Sequence, residues 1–235
     1  MEESQVKKWV IAYVMVACAL VAWRPADAQD LQQKLAAAKE AAARNQQALR
    51  SYTWLEKTEL SLKGEVKNTK IDSCRYGPDG KVQKTPVVEP PPPEKKRGLR
   101  GKIIAKKTGE MKEELESAAA LVQRYVPPDP GAMQVVMNAG TASLAQAGPG
   151  VVALTFAGYQ KEGDALKLTF DSTVKALRRI DVSTHLDSPD DVVRFSVVMQ
   201  SLPDGLNYPG TTTLSIPSSK VEVRITKSNY QKLAQ

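Results

Sequence analysis

The sequence contains one histidine, His185, so any chemistry built on imidazole must use it. Asp181 and Ser183 precede it at two-residue steps, which in a strand puts all three side chains on one face. Residues so spaced stand about 7 Å apart, too far for the direct nucleophile-to-base hydrogen bond that triad hydrolysis requires. His185 is therefore expected to be a surface histidine beside a turn. Asp187, Asp190 and Asp191 flank Ser188-Pro189 and could offer oxygens to calcium. They lack the alternating ligands and closing glutamate of a dedicated loop, which favours a solvated turn. A typical zinc site needs a second histidine, or a histidine with carboxylates at helical spacing. The two cysteines, Cys18 and Cys74, leave neither a thiolate metal site nor a disulfide framework. No glycine-rich phosphate loop follows any strand pattern, and Gly-x-Ser-x-Gly is missing. Catalytic residues, cofactor and metal are all expected to be none, and the chain is not expected to be an enzyme.

With little reactive chemistry to position, the pattern of the elements becomes the main signal. From Val151 to Leu233 the sequence runs as short alternating segments closed by Gly, Pro, Asp and Ser. Val152-Leu154-Phe156, Leu166-Leu168-Phe170, Ile180-Val182-Thr184 and Val193-Phe195-Val197-Met199 are four of them. Thr212-Leu214-Ile216 and Val221-Val223-Ile225 follow, past breaks at Pro209-Gly210 and Pro217-Ser218-Ser219. Period-two alternation without intervening helices predicts one antiparallel sheet with a buried face. Strands are also predicted within 51–88, where Tyr52-Trp54 and Leu60-Leu62 alternate with charges and Gly64 and Gly77-Pro78-Asp79-Gly80 mark turns. A short strand is expected over Thr141–Gln146.

Two stretches read as helix cover for that sheet. Gln29–Arg50 lacks Gly and Pro and carries a modest stripe of Leu31, Leu35, Ala38, Ala42 and Leu49. Thr108–Tyr125 places Met111, Leu115, Ala118, Ala119, Val122 and Tyr125 at helical spacing, with acidic residues read as sitting near its start. Asp129 is expected to cap a second short helix bearing Met133, Val136 and Met137. The fold class is thus α+β: a large curved antiparallel sheet, an incomplete barrel, covered by an N-terminal helix and a mid-chain helical insertion.

The chain of 235 residues carries 42% apolar and 25% charged residues and a formal charge of +7, ordinary for a globular protein. Residues 1–28 read as a secretory signal peptide: Lys7-Lys8, an apolar core from Trp9 to Trp23, and Ala26-Asp27-Ala28 before the cut. Retention as a membrane anchor, or lipidation at Cys18, is the alternative. Residues 29–235 then form a single domain, exported to the periplasm or secreted, with Cys74 buried and inert. Four prolines at 90–93 open a Pro-rich basic loop at about 89–107. Its Lys95, Lys96, Arg97, Arg100, Lys102, Lys106 and Lys107 could meet an anionic membrane surface, the plainer reading being a solvated linker. No aromatic residue is interleaved among them and the chain is expected to be exported, so nucleic acid is not an expected partner.

The order of elements resembles the periplasmic lipoprotein-carrier superfamily (LolA/LolB-like, with related mycobacterial lipid carriers). The signal peptide, the helix running into Ser51-Tyr52-Thr53-Trp54, the helical insertion and the closing antiparallel run carry that likeness. The phrases Tyr159-Gln160-Lys161-Glu162-Gly163-Asp164, Leu177-Arg178-Arg179-Ile180 and Leu202-Pro203-Asp204-Gly205 look like those of uncharacterised secreted bacterial proteins with such a sheet. The resemblance implies an incomplete barrel wrapped around helices and a hydrophobic cavity for acyl chains. The function expected is a periplasmic binding or carrier protein for lipid, lipoprotein or another apolar ligand. The alternative is a non-enzymatic envelope protein contacting anionic surfaces through its basic loop. Candidate cavity residues are Trp54, Leu60, Met111 and Leu115, with Phe156, Leu168, Phe170 and Phe195. For the bulky aromatic residues Trp54, Phe156, Phe170 and Phe195, core packing is the competing reading.

Overall fold

A computed structural model of the chain describes residues 43–87, 99–174 and 176–233. The expected signal peptide, residues 29–42 of the first expected helix and the proline run lie outside the described residues. Residues 43–49 are helical (α1). Then come β1 (Tyr52–Leu62), β2 (Glu65–Tyr76), β3 (Val82–Pro86), α2 (Leu99–Val122) and α3 (Pro130–Asn138). The chain closes with β4 (Ala142–Gly148), β5 (Val151–Ala157), β6 (Ala165–Asp171), β7 (Ala176–His185), β8 (Val192–Ser201), β9 (Asn207–Ile216) and β10 (Val221–Lys232).

All ten strands join one sheet in the order β3-β2-β1-β10-β9-β8-β7-β6-β5-β4. Two meanders, β1–β3 and β4–β10, meet where the first strand pairs antiparallel with the last, Tyr52 opposite Lys232 and Leu62 opposite Val221. Edges β3 and β4 do not pair, so the sheet stays open as a half-barrel. Short connections fit the antiparallel arrangement. At the β1–β2 hairpin both Lys63 (φ 54°) and Gly64 (φ 82°) take positive φ, as a two-residue hairpin of matching twist demands.

Three expectations need correction. Pro209-Gly210 does not break the sheet but lies inside β9, where Pro209 faces Met199 beside a register shift between Val198 and Met199. A proline cannot donate to the ladder and is tolerated at such an irregularity. A Cβ on Gly210 would come within 2.5 Å of the Gln200 side chain, which would have to move aside. The second correction concerns the basic loop at 89–107. Its residues 99–107 are helical, because Lys, Arg, Ile and Ala propagate a helix as readily as they populate a linker. The third follows: with α2 starting at Leu99, no acidic residue occupies its first turn. The acids instead pair along the helix, Lys106 with Glu110 at 3.7 Å and Lys112 with Glu116 at 3.6 Å. Asp129 does cap α3, its Oδ1 accepting from Ala132 N at 2.7 Å.

The concave face carries the core. Under α3 and the end of α2, Phe156, Leu166, Ile180 and Tyr125 are fully buried in one cluster with Met133 and Val136. Ala118 and Val122 of α2 form a second cluster with Val193 and Ile216. Tyr125 fastens this end: its hydroxyl donates to Asp164 Oδ2 at 2.6 Å and lies 2.8 Å from Thr184 Oγ1. The same Asp164 oxygen accepts from the backbone of Gln160 and Lys161 at 3.0 and 2.9 Å, tying the β5–β6 loop to the helix end. Tyr125→Phe is expected to cost about 1–3 kcal/mol by leaving buried polar partners unpaired. Urea unfolding monitored by circular dichroism measures it.

Candidate functional site

Asp181, Ser183 and His185 all lie on β7. Leu177, Ile180, Val182 and Thr184 are the buried residues of β7, while Asp181 pairs with Arg179 at 2.7 Å. His185 sits at the strand end, where Lys161 Nζ lies 3.3 Å from its Nδ1 and donates to the carbonyls of His185 and Leu186. The loop after β7 is an exposed or half-buried turn closed by Leu186 N to Asp191 O at 3.0 Å.

The sheet's concave face is filled unevenly. Over β5–β7 the helices pack directly on the sheet. Over β8 and β9 α2 touches the sheet through Ala118 and Val122, and beside that contact it leaves a cavity of about 390 Å³ that extends over β10. Leu115, Ala119 and Val122 of α2 form its roof, and Phe195, Val197, Leu214, Val223 and Ile225 belong to its floor. α1 adds Asn45 and Leu49. A reciprocal amide clasp docks that helix: Asn45 Nδ2 donates to Asn207 O at 2.8 Å, and Asn207 N donates to Asn45 Oδ1 at 2.9 Å. The short Ala119 and Thr212 on roof and floor keep the space open. The volume falls within the range of small-molecule sites, about 300–1,000 Å³.

Of the eight expected cavity residues, Leu115 and Phe195 line it. Phe156, Leu168 and Phe170 belong instead to the buried cluster under α3 and are not among the lining residues. Trp54 is buried just behind the wall, stacked on the cavity-lining Tyr230 at 5.5 Å and tilted against Tyr76 at 5.2 Å. Leu60 on β1 and Met111 on α2 are half-buried and are not among the lining residues. Among the expected anionic-surface residues, Lys95, Lys96 and Arg97 lie outside the described residues. Arg100 and Lys102 are on the helical backbone, with side chains outside those described; Lys106 and Lys107 are exposed on α2.

The polar residues of one cavity wall were not expected. Tyr76, Tyr208, Tyr230 and Lys227 line it, and burial pushes the Tyr76 phenol up to about 12. Lys227 keeps some accessible surface, and because it shares the cavity-facing parity of Val223 and Ile225, that surface is cavity wall. Burial lowers its pKa, an effect partly offset by the Glu56 carboxylate directly opposite on β1. Glu56 is itself buried and paired to Lys84. A signal existed in the sequence: Val223-Arg224-Ile225-Thr226-Lys227 places a lysine on the apolar parity of its strand.

Behind this wall Cys74 is buried, and burial pushes its thiol up to about 11. The thiolate is the reactive form, so the native protein should resist labelling. In a Cys18→Ser chain at mildly alkaline pH, Ellman's reagent is expected to leave Cys74 untouched until urea unfolds the protein. Rapid labelling of the folded chain would contradict the burial.

An open antiparallel half-barrel with an apolar cavity under a helix defines the class: an α+β cavity protein. No protein-family model matches the chain, and neither does any curated protein. Among solved structures the chain is similar to the crystal structure of a DUF1329 family protein from Desulfovibrio piger. The two are 13% identical with a TM-score of 0.37, over 82% of this chain and 90% of that one. A likeness at that level carries no further weight here.

Proposed function

We propose that the protein binds or carries an apolar ligand, a lipid or an acyl chain, in the cavity between α2 and strands β8–β10. The observation that carries this reading is the cavity itself: about 390 Å³ lined mainly by aliphatic and aromatic side chains. The aliphatic side chains lining that space forfeit packing contacts unless something occupies it. Export to the periplasm belongs to the same proposal and is motivated by residues 1–28. No metal or cofactor takes part in this reading, and the role is binding, not turnover.

Native mass spectrometry of the full chain, purified without detergent after expression with its own N-terminus, tests it. A co-purified lipid or fatty acid is expected as a discrete mass increment, lost on delipidation and regained with added lipid. Protein that is ligand-free as isolated and also fails to bind a fluorescent fatty acid would sink the proposal.

A further inference from the structure

We propose that the cavity takes an alkyl chain bearing an anionic head group, and that Lys227 is the residue that holds the head. The inference rests on the cavity reading above and goes further by assigning the ligand's charge and orientation.

The charges on this part of the concave face leave one cation over. Across the sheet, Lys227 stands opposite Glu56, and Glu56 opposite Asp72. Glu56 is paired to Lys84, and Asp72 to Lys70 at 3.1 Å. Lys112, at the α2 rim of the cavity, is paired to Glu116. Lys227 has no carboxylate within ion-pairing distance among the described residues. Its Nζ lies 5.8 Å from the centre of the Trp54 ring, a close contact with an aromatic face. An ammonium brought out of water is costly when its cross-strand carboxylate, Glu56, is already paired to Lys84 and its close contact is a π face. A carboxylate or phosphate placed at the tyrosine-lined wall would supply the missing counter-charge.

The rest of the cavity fixes the other end of the ligand. Moving away from Lys227 along β10, the wall continues as Ile225 and Val223, with Leu115 and Leu214 also lining it. At roughly 30 Å³ per water-sized group, the volume takes on the order of a dozen non-hydrogen atoms. A medium-length alkyl carboxylate or alkyl phosphate fits that description. A neutral, purely apolar ligand would fill the space and leave the charge of Lys227 unanswered.

Isothermal titration of decanoate, decyl phosphate and decanol into the full-chain protein, below their aggregation limits, tests the assignment. Wild-type protein is expected to bind decanoate or decyl phosphate at least tenfold more tightly than decanol. The stronger of the two anions then identifies the head group as carboxylate or phosphate. Lys227→Met should collapse that preference to near unity while decanol binding persists, which also shows that the variant folds. Lys227→Arg should keep the preference. A preference unchanged in Lys227→Met, or wild-type protein binding decanol as tightly as both anions, overturns the head-group assignment and leaves the apolar-cavity reading standing. Failure of all three probes to bind overturns both.

Discussion

Alanine in place of Phe156 is expected to lower the unfolding free energy by about 3–5 kcal/mol, the usual cost of removing a fully buried aromatic side chain. Phe156 lies on β5 with no exposed surface, packed in the cluster with Leu166, Ile180 and Val182 and edge-on to Tyr159 at 6.3 Å. Its surroundings are held on two sides, by α3 through Met133 and Val136 and by the Tyr125–Asp164 hydrogen bond. The site can therefore collapse little, and the cavity term adds to the lost transfer energy. Urea titration should show a lowered midpoint with an unchanged slope. The sequence marked Phe156 as a possible ligand contact. If it were one, truncation would alter ligand binding and cost little stability. The packing argues the reverse: a large stability loss and binding that holds as long as the protein remains folded.

The converse experiment targets the cavity. Ala119→Trp is expected to weaken binding of an uncharged alkyl probe such as decanol on the order of 100-fold, with stability within about 1 kcal/mol of wild type. Ala119 is half-buried on α2 and lines the void, so an indole there can enter space that no side chain now occupies. Excluding even three or four methylenes forfeits about 0.8 kcal/mol each. The filled cavity regains dispersion contacts, which offsets strain on α2. Titration with decanol alongside thermal unfolding separates the two effects. Unchanged binding in a stably folded variant would place the ligand elsewhere.

These two substitutions also show what was legible in the sequence. Alternation along Val152-Leu154-Phe156 and Val193-Phe195-Val197 gave the strands and their buried faces, because side-chain direction follows from the backbone alone. The capping of α3 by Asp129 was equally local. What was not legible depends on contacts between distant segments. Nothing in Tyr52–Leu62 announces that it pairs with Val221–Lys232, the contact that joins the two meanders. Phe156 and Phe195 have the same chemistry and the same strand pattern. The space left beside the α2 contact with β8 and β9 makes one of them core and the other cavity wall. The start of α2 was missed because a run of lysines and arginines after prolines has the composition of a linker and the propensity of a helix. Lys227 and Glu56, two charges on the apolar parity of their strands, were readable as exceptions. Their opposition across β1 and β10 was not.

A crystal of the protein grown with a terminally brominated dodecanoic acid gives the most direct measurement. The account predicts one bromine peak in the anomalous map, in the space bounded by Leu115, Phe195 and Ile225, with the carboxylate toward Lys227. A bromine found only on the outer surface, or side chains collapsed across that space with no room for a chain, would contradict it.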